Sequence, residues 1–158
     1  MLNKPLFNIV LVAPEIPGNT GSIGRTCVAL NLRLILIKPI AFDIDEKAVR
    51  RAGLDYWKHV DLKVYENWEE FIQQENPHEK DLFLFSRFSQ QSSFFDAGYE
   101  KNCYLVFGSE TKGLPPEMGL KYPDRYFALP MFNDHIRSLN LSNAATAAAY
   151  EALRNILN

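Results

Sequence analysis

Charge of one sign is not in excess in this chain of 158 residues, where 17 Lys and Arg stand against 19 Asp and Glu for a formal net charge of −2. With a pI near 5.9, it is not a protein that coats nucleic acid non-specifically, since that mode rests on many cations neutralising phosphates. Any nucleic-acid contact must then use a local basic patch. Cysteine is scarce: only Cys27 and Cys103 occur, both in apolar surroundings. Nothing near the first residues joins a charged, an apolar and a small-residue segment, so a reduced, cytoplasmic chain is expected. Apolar runs stop at strand length, far short of the roughly 20 residues that span a bilayer, which excludes a helical membrane span. His59, His78 and His135 lack ligand spacing with the two cysteines, so no metal is expected. Internal repeats, low-complexity tracts and linkers are missing as well.

The length fits one domain over residues 1–158, able to bury roughly two thirds of its unfolded surface. Strand-like runs lie at Phe7–Ala13, Leu32–Lys38, Asp81–Ser86, Cys103–Phe107 and Arg125–Leu129. Most are continuously apolar, as in sheets covered on both faces. Between them, helices are expected over Gly21–Asn31, Asp43–Ala52, Trp68–Glu75 and Leu141–Leu157, the third with Asn67 as its N-cap. This alternation predicts an α/β fold, a mostly parallel sheet flanked by helices. Ser86–Phe95 and the Pro-containing Gly113–Pro123 read as surface loops.

Ligands of such sheets settle beyond the carboxyl ends of the strands, so the loops after the strands carry the functional weight. The first, Pro14–Arg25, opens a helix with glycines and an anion-attracting N-terminus. It lacks both the G-x-G-x-x-G spacing and the Walker Lys, so neither a dinucleotide nor a nucleoside triphosphate is its natural ligand. The second, Phe107–Pro115, leaves its strand at Gly108 and offers Glu110 to hold a fixed donor or a cation. Taken alone, these two read more simply as a capped helix start and a glycine turn. The third, Asp134–Asn143, crowds Arg137, Ser138, Asn140, Ser142 and Asn143 at the start of the last helix. One N-cap, for which Ser142 is a candidate, would suffice there, so the cluster exceeds the structural need. Alanines 144, 145, 147, 148 and 149 admit close approach of another element, while Tyr150, Leu153 and Leu157 form a core or dimer stripe.

Three ordered motifs lie in these loops: N-T-G-x-x-x-R at Asn19–Arg25, F-G-x-E-x-x-G at Phe107–Gly113 and S-x-N-L-S-N at Ser138–Asn143. Together they resemble the SPOUT superfamily, in its SpoU-like branch of RNA ribose 2′-O-methyltransferases. The resemblance runs from about Asn8 to Leu153. Through Pro14–Pro17, Arg50–Tyr56 and the near-absence of extra sequence, it narrows to the minimal members that methylate the wobble ribose, at position 34, of leucine tRNAs. It implies a C-terminal trefoil knot, which spacing alone would not suggest because connections normally avoid knots. It also implies S-adenosyl-L-methionine as cofactor, a homodimer, and the anticodon stem-loop of a tRNA as partner. The cofactor contacts it implies are Phe85, Gly108, Glu110, Leu129, Ser138, Leu139 and Asn143. For catalysis it points to Arg25, aided by Ser138 and Asn140.

A guanidinium stays charged at neutral pH and makes a poor base, so Arg25 is expected to orient the 2′-hydroxyl and stabilise developing alkoxide charge. Lys47, Arg50, Arg51, Lys58 and His59 form the densest basic stretch, with Arg50, Arg51 and Lys58 as RNA-binding candidates. The same stretch also reads as a solvated helix face. Tyr56 and Trp57 fit either stacking on an unpaired base or a place in the core. Methylation at another tRNA or rRNA site, and a non-catalytic RNA-binding knot protein, are the competing readings.

Overall fold

A computed structural model of the chain describes residues 4–44, 55–87 and 92–158. From residue 45 on, the helix expected over Asp43–Ala52 lies outside the described residues, and with it the RNA-binding candidates Arg50 and Arg51. The described chain forms strands β1 (Asn8–Val12), β2 (Arg33–Ile37), β3 (Asp61–Tyr65), β4 (Leu82–Phe85), β5 (Tyr104–Phe107) and β6 (Tyr126–Phe127). Its helices are α1 (Pro17–Leu30), α2 (Trp68–Glu75), α3 (Pro116–Lys121) and α4 (Leu141–Leu157), with a 3₁₀ turn at Asp55–His59.

The strands make one sheet in the order β3-β2-β1-β5-β4-β6, and every neighbouring pair is parallel. Side chains alternate across it. Ile9, Leu11, Leu34, Leu36, Phe83, Phe85, Leu105 and Phe107 join the α1 and α4 residues Ile23, Cys27, Ala145, Ala148, Ala149 and Ala152 in one core. Val10, Val12, Ile35, Ile37, Leu82, Leu84 and Val106 meet Phe71 of α2, Met118 of α3 and Tyr122 just after it in the other. Two covered faces account for the continuous apolar runs of the inner strands. The alanines of α4 let it lie close on α1, and the Thr26 and Thr146 hydroxyls hydrogen-bond across the seam at 2.7 Å.

Two elements depart from expectation. β3 was not expected, because its exposed Asp61 and Lys63 alternate with half-buried Leu62 and Val64 at the sheet edge, a period-2 pattern rather than an apolar run. α3 occupies the stretch expected to be a loop, since Pro116 sits at its first turn, where a missing N–H costs nothing. α1 likewise starts at Pro17, four residues before the expected start. Asn67 does cap α2, its Oδ1 accepting from the Glu70 N–H at 2.8 Å. Cys27 and Cys103 are free and buried, and burial pushes both thiols up to about 12.

Along residues 125–128, which include β6, the backbone is bonded on both edges. Leu84 and Ser86 donate to Arg125 and Phe127 on the β4 side. On the other side Phe94 donates to Ala128, and Ala128 to Ser92.

Candidate functional site: a pocket at the carboxyl ends of β4, β5 and β6

β1 lies between β2 and β5, so the chain reverses its direction of growth at the β1/β5 boundary, and the crevice there is where this architecture places ligands. A pocket of about 770 Å³ opens at that end, within the usual range for a small-molecule site. The ends of β4 and β6 (Phe85, Ser86, Phe127, Leu129), the loop after β5 (Gly108–Pro115) and the entry into α4 (Ser138–Leu141) form its walls.

Gly108 shapes this pocket. A Cβ there would stand 2.0 Å from the Gly113 carbonyl carbon and 2.2 Å from the Leu114 nitrogen. The chain leaves β5 and doubles back across itself, with Gly113 at φ +68° and its N–H donating to the Ser109 carbonyl at 2.9 Å. Only a residue without a side chain permits that crossing.

The carboxylate of Glu110 holds the first loop. Its Oε1 accepts from the Glu15 N–H, and its Oε2 from the Ile16 N–H, both at 2.9 Å. Oε2 also accepts from Asn19 Nδ2 at 3.1 Å. α1 has no side-chain cap and no acid in its first turn, so a carboxylate from another loop supplies the negative group that a helix N-terminus favours. Glu15 answers in kind, its Oε1 accepting from the Thr111 hydroxyl at 2.7 Å and the Thr111 N–H at 3.1 Å. Those bonds from Thr111, with one from Ser109, hold the Glu15 carboxyl below the usual carboxylate range.

The third motif joins through Asn140. Its Nδ2 donates to Asn19 Oδ1 at 3.1 Å, and its Oδ1 accepts from the Ser142 N–H at 2.9 Å, the Asn143 N–H at 3.2 Å and the Ser142 hydroxyl at 2.6 Å. Asn140, not Ser142, is the cap of α4. A chain of polar contacts thus runs Glu110, Asn19, Asn140 and draws all three motifs together.

Of the expected site residues, Phe85, Gly108, Glu110, Leu129, Ser138, Leu139 and Asn140 line the pocket. Asn143 is not among its walls; its side chain is exposed on the first turn of α4. Arg25 is absent from the walls too: it is exposed on α1, its guanidinium carbon 5.4 Å from the centroid of the Tyr56 ring. Lys58 sits exposed on the 3₁₀ turn, whereas Trp57 beside it is buried in the core rather than offered to a base. Leu114, Tyr126 and Met131 line the pocket without having been singled out. Leu114 and Tyr126 lay in stretches read only as loop and strand.

The walls suit S-adenosylmethionine. Leu114, Leu129, Leu139 and Tyr126 offer apolar surface for a flat ring, while the crossing at Gly108 leaves backbone edges facing the same space. The one carboxylate among the lining residues, Glu110, is committed to α1, and Arg87 and Lys112 add positive charge. Among the described residues no group of three His, Cys, Asp or Glu is placed to hold a metal. Nor is any described helix long and apolar enough to cross a membrane.

Known proteins are similar to this chain over most of its length. A Bacillus subtilis (strain 168) relative, provisionally named a tRNA (cytidine(34)-2′-O)-methyltransferase, is 44% identical over 156 residues, covering 97% of this chain and 95% of its own. A solved structure described as giving insights into the 2-OH methylation of C/U34 on tRNA superposes with a TM-score of 0.84 at 38% identity, covering 94% of this chain and 95% of that one. The SpoU methyltransferase AviRb from Streptomyces viridochromogenes, solved in complex with the cofactor AdoMet, gives a TM-score of 0.75 at 26% identity over 97% of this chain and 61% of its own. The model of the SpoU rRNA Methylase family matches residues 6–150, and the protein belongs to that family.

Proposed function

We propose that this protein is an S-adenosylmethionine-dependent methyltransferase that modifies the ribose 2′-hydroxyl of the wobble nucleotide, cytidine or a modified uridine at position 34, of tRNA. The observation that carries it is the union of the three motifs around one pocket through Glu110, Asn19 and Asn140. The names of the B. subtilis relative and of the C/U34 structure support the tRNA site. The AviRb complex supports the cofactor.

When bound, S-adenosylmethionine supplies an electrophilic methyl group on its sulfonium. The chain's own part is positioning, which lowers such a barrier by several kcal/mol through freedom surrendered in advance. Gly108 and its crossing partner Gly113–Leu114 set the floor of the pocket, and Ser138 and Leu139 close its side. Glu110 fixes the first loop against the second, and Asn140 fixes the third against the first. The Arg25 guanidinium donates to the ribose 2′-oxygen and stabilises the charge that builds on it as the hydroxyl proton passes to solvent water.

Because Arg25 stands outside the pocket of its own chain, we place it at the pocket of a second copy, the protein acting as a homodimer and as a single domain. Ile16 and Ile136, 46% and 60% exposed, are apolar surface that such a dimer would cover. Lys58, with Arg50 and Arg51, would then serve the anticodon stem-loop from both subunits. We also read the C-terminal segment as threaded into a trefoil knot, a reading supported by the bonds on both edges of residues 125–128. Cytoplasmic residence fits a tRNA substrate.

The decisive experiment incubates the protein with labelled S-adenosylmethionine and tRNA lacking the modification, then maps the labelled nucleoside. Label as 2′-O-methylcytidine or a 2′-O-methyluridine derivative at position 34 is expected. Label at another tRNA site or in rRNA would retain the chemistry and overturn the substrate. Arg25→Ala is expected to abolish turnover while leaving cofactor binding intact. Mixed dimers of Arg25→Ala and a pocket-filling Leu139→Trp chain should recover turnover that neither homodimer has.

A further inference from the structure

The first motif contains two glycines, Gly21 and Gly24, that the pocket does not use, and the 3₁₀ turn Asp55–His59 packs against both, with Gly24 required by the contact. A Cβ on Gly24 would meet the Trp57 ring at 2.6 Å, so the indole lies directly on the helix, 9% exposed. One turn earlier on α1, the Gly21 carbonyl accepts from the Tyr56 hydroxyl at 2.8 Å. Two adjacent aromatic residues thus clamp the 3₁₀ turn to α1 on either side of a single helical turn, and Arg25 is the next residue along. Its guanidinium carbon lies 5.4 Å from the Tyr56 ring centroid, inside the range for cation–π attraction. The tyrosine is therefore tied at its hydroxyl end and covered on its face.

An exposed arginine carries several rotatable bonds, and freezing them costs rotamer entropy each time the side chain is used. A ring held in place beneath the guanidinium meets part of that cost before substrate arrives. We propose that Tyr56 is a positioning residue for Arg25: anchored to Gly21 by its hydroxyl, it holds the guanidinium in the orientation used on the ribose. This rests on the reading of Arg25 as the group that meets the 2′-oxygen.

The test compares Tyr56→Phe, Tyr56→Leu, Arg25→Ala and the double variant Tyr56→Leu/Arg25→Ala in the full-length protein. It reads kcat, KM for tRNA, cofactor affinity and the ¹⁵N relaxation of the Arg25 Nε. Tyr56→Leu is expected to lower kcat about five- to tenfold, with cofactor affinity unchanged and a more mobile Arg25 Nε. Tyr56→Phe, which keeps the ring and loses the tether, should fall between wild type and Tyr56→Leu. The double variant should be no slower than Arg25→Ala, because the tyrosine has nothing left to hold. A slow Arg25→Ala beside a fully active Tyr56→Leu overturns the positioning role and leaves the arginine's role standing. An active Arg25→Ala overturns the arginine's role, and the relaxation measurement then decides by itself whether Tyr56 restrains that side chain. Equal loss of cofactor affinity and turnover in Tyr56→Leu and Tyr56→Phe would reduce the tyrosine to a packing residue.

Discussion

Two glutamates at different places in the molecule each hold several donors, and they do different work. Glu75, at the end of α2, accepts from the Arg33 guanidinium and the Tyr65 hydroxyl, and from the Tyr104 hydroxyl at 2.8 Å. All three partners are side chains rising from β2, β3 and β5, and Arg33 Nε continues to Asn8 Oδ1 at 2.9 Å. Glu110 takes two backbone N–H groups and one amide. A carboxylate that gathers side chains ties a helix to a sheet. One that gathers backbone fixes the path of a loop, and a loop's path is what shapes a pocket. Stability is therefore concentrated at the first and substrate geometry at the second.

The largest expected effect comes from the pocket end, at the crossing itself. Gly108→Val forces a side chain into the Gly113–Leu114 backbone, and displacement of the loop by an ångström should cut turnover about 100-fold. Calorimetric titration with S-adenosylmethionine reads the accompanying loss of affinity; an unaffected Kd would separate the crossing from the pocket. Next, Glu110→Ala strands the donors at the start of α1 and should weaken cofactor binding about tenfold. If it lowered only the Tm, the two glutamates would be alike after all.

The Glu75 end should respond the other way. Glu75→Ala leaves the Arg33 charge and two hydroxyls without their acceptor and should cost about 3 kcal/mol. That is a fall in Tm of about 8 °C by calorimetry, with specific activity at low temperature preserved. A pH series refines this. Burial raises the Glu75 pKa, but the bonds from Tyr65, Arg33 and Tyr104 outweigh it and hold the carboxyl below its ordinary value. A depressed folded pKa stabilises the native state above the unfolded value, about 4.3, and that share is lost as pH falls through the folded value. Glu75→Gln should accordingly flatten the acid limb of the stability profile measured by urea unfolding, and an unchanged limb would refute the assignment. The smallest effect belongs to the α1/α4 seam, where Thr26→Val with Thr146→Val exchanges one hydroxyl pair for methyls and should change stability by less than about 1 kcal/mol.

The inner strands were legible because both faces of the sheet are covered, leaving unbroken apolar runs at β1, β2, β4 and β5. β3 escaped because an edge strand keeps charges on one face. α3 escaped because paired prolines read as a stop, although the second of them opens a helix. At the site, the three motifs could be found from residue types alone, and the pocket collects most of the residues they named. Their mutual bonds could not, since Glu110 and its partners lie 91 to 95 positions apart and nothing local marks a carboxylate that caps a distant helix. The sequence offers Ser142 as the cap of the last helix; in the fold Asn140 caps α4 and ties it to Asn19. Tyr56 reads in the sequence as a stack for an RNA base or as a core residue, and nothing local announces the contact its ring makes with Arg25.

The exchange between Glu15 and Glu110 is reciprocal, each carboxylate holding backbone that belongs to the other's loop. Such a handclasp cannot be inherited by halves. A chimera that imports the loop after β1 from one relative and the loop after β5 from another brings together two grips shaped for absent partners. Loop grafting on this scaffold should move the two segments as one cassette.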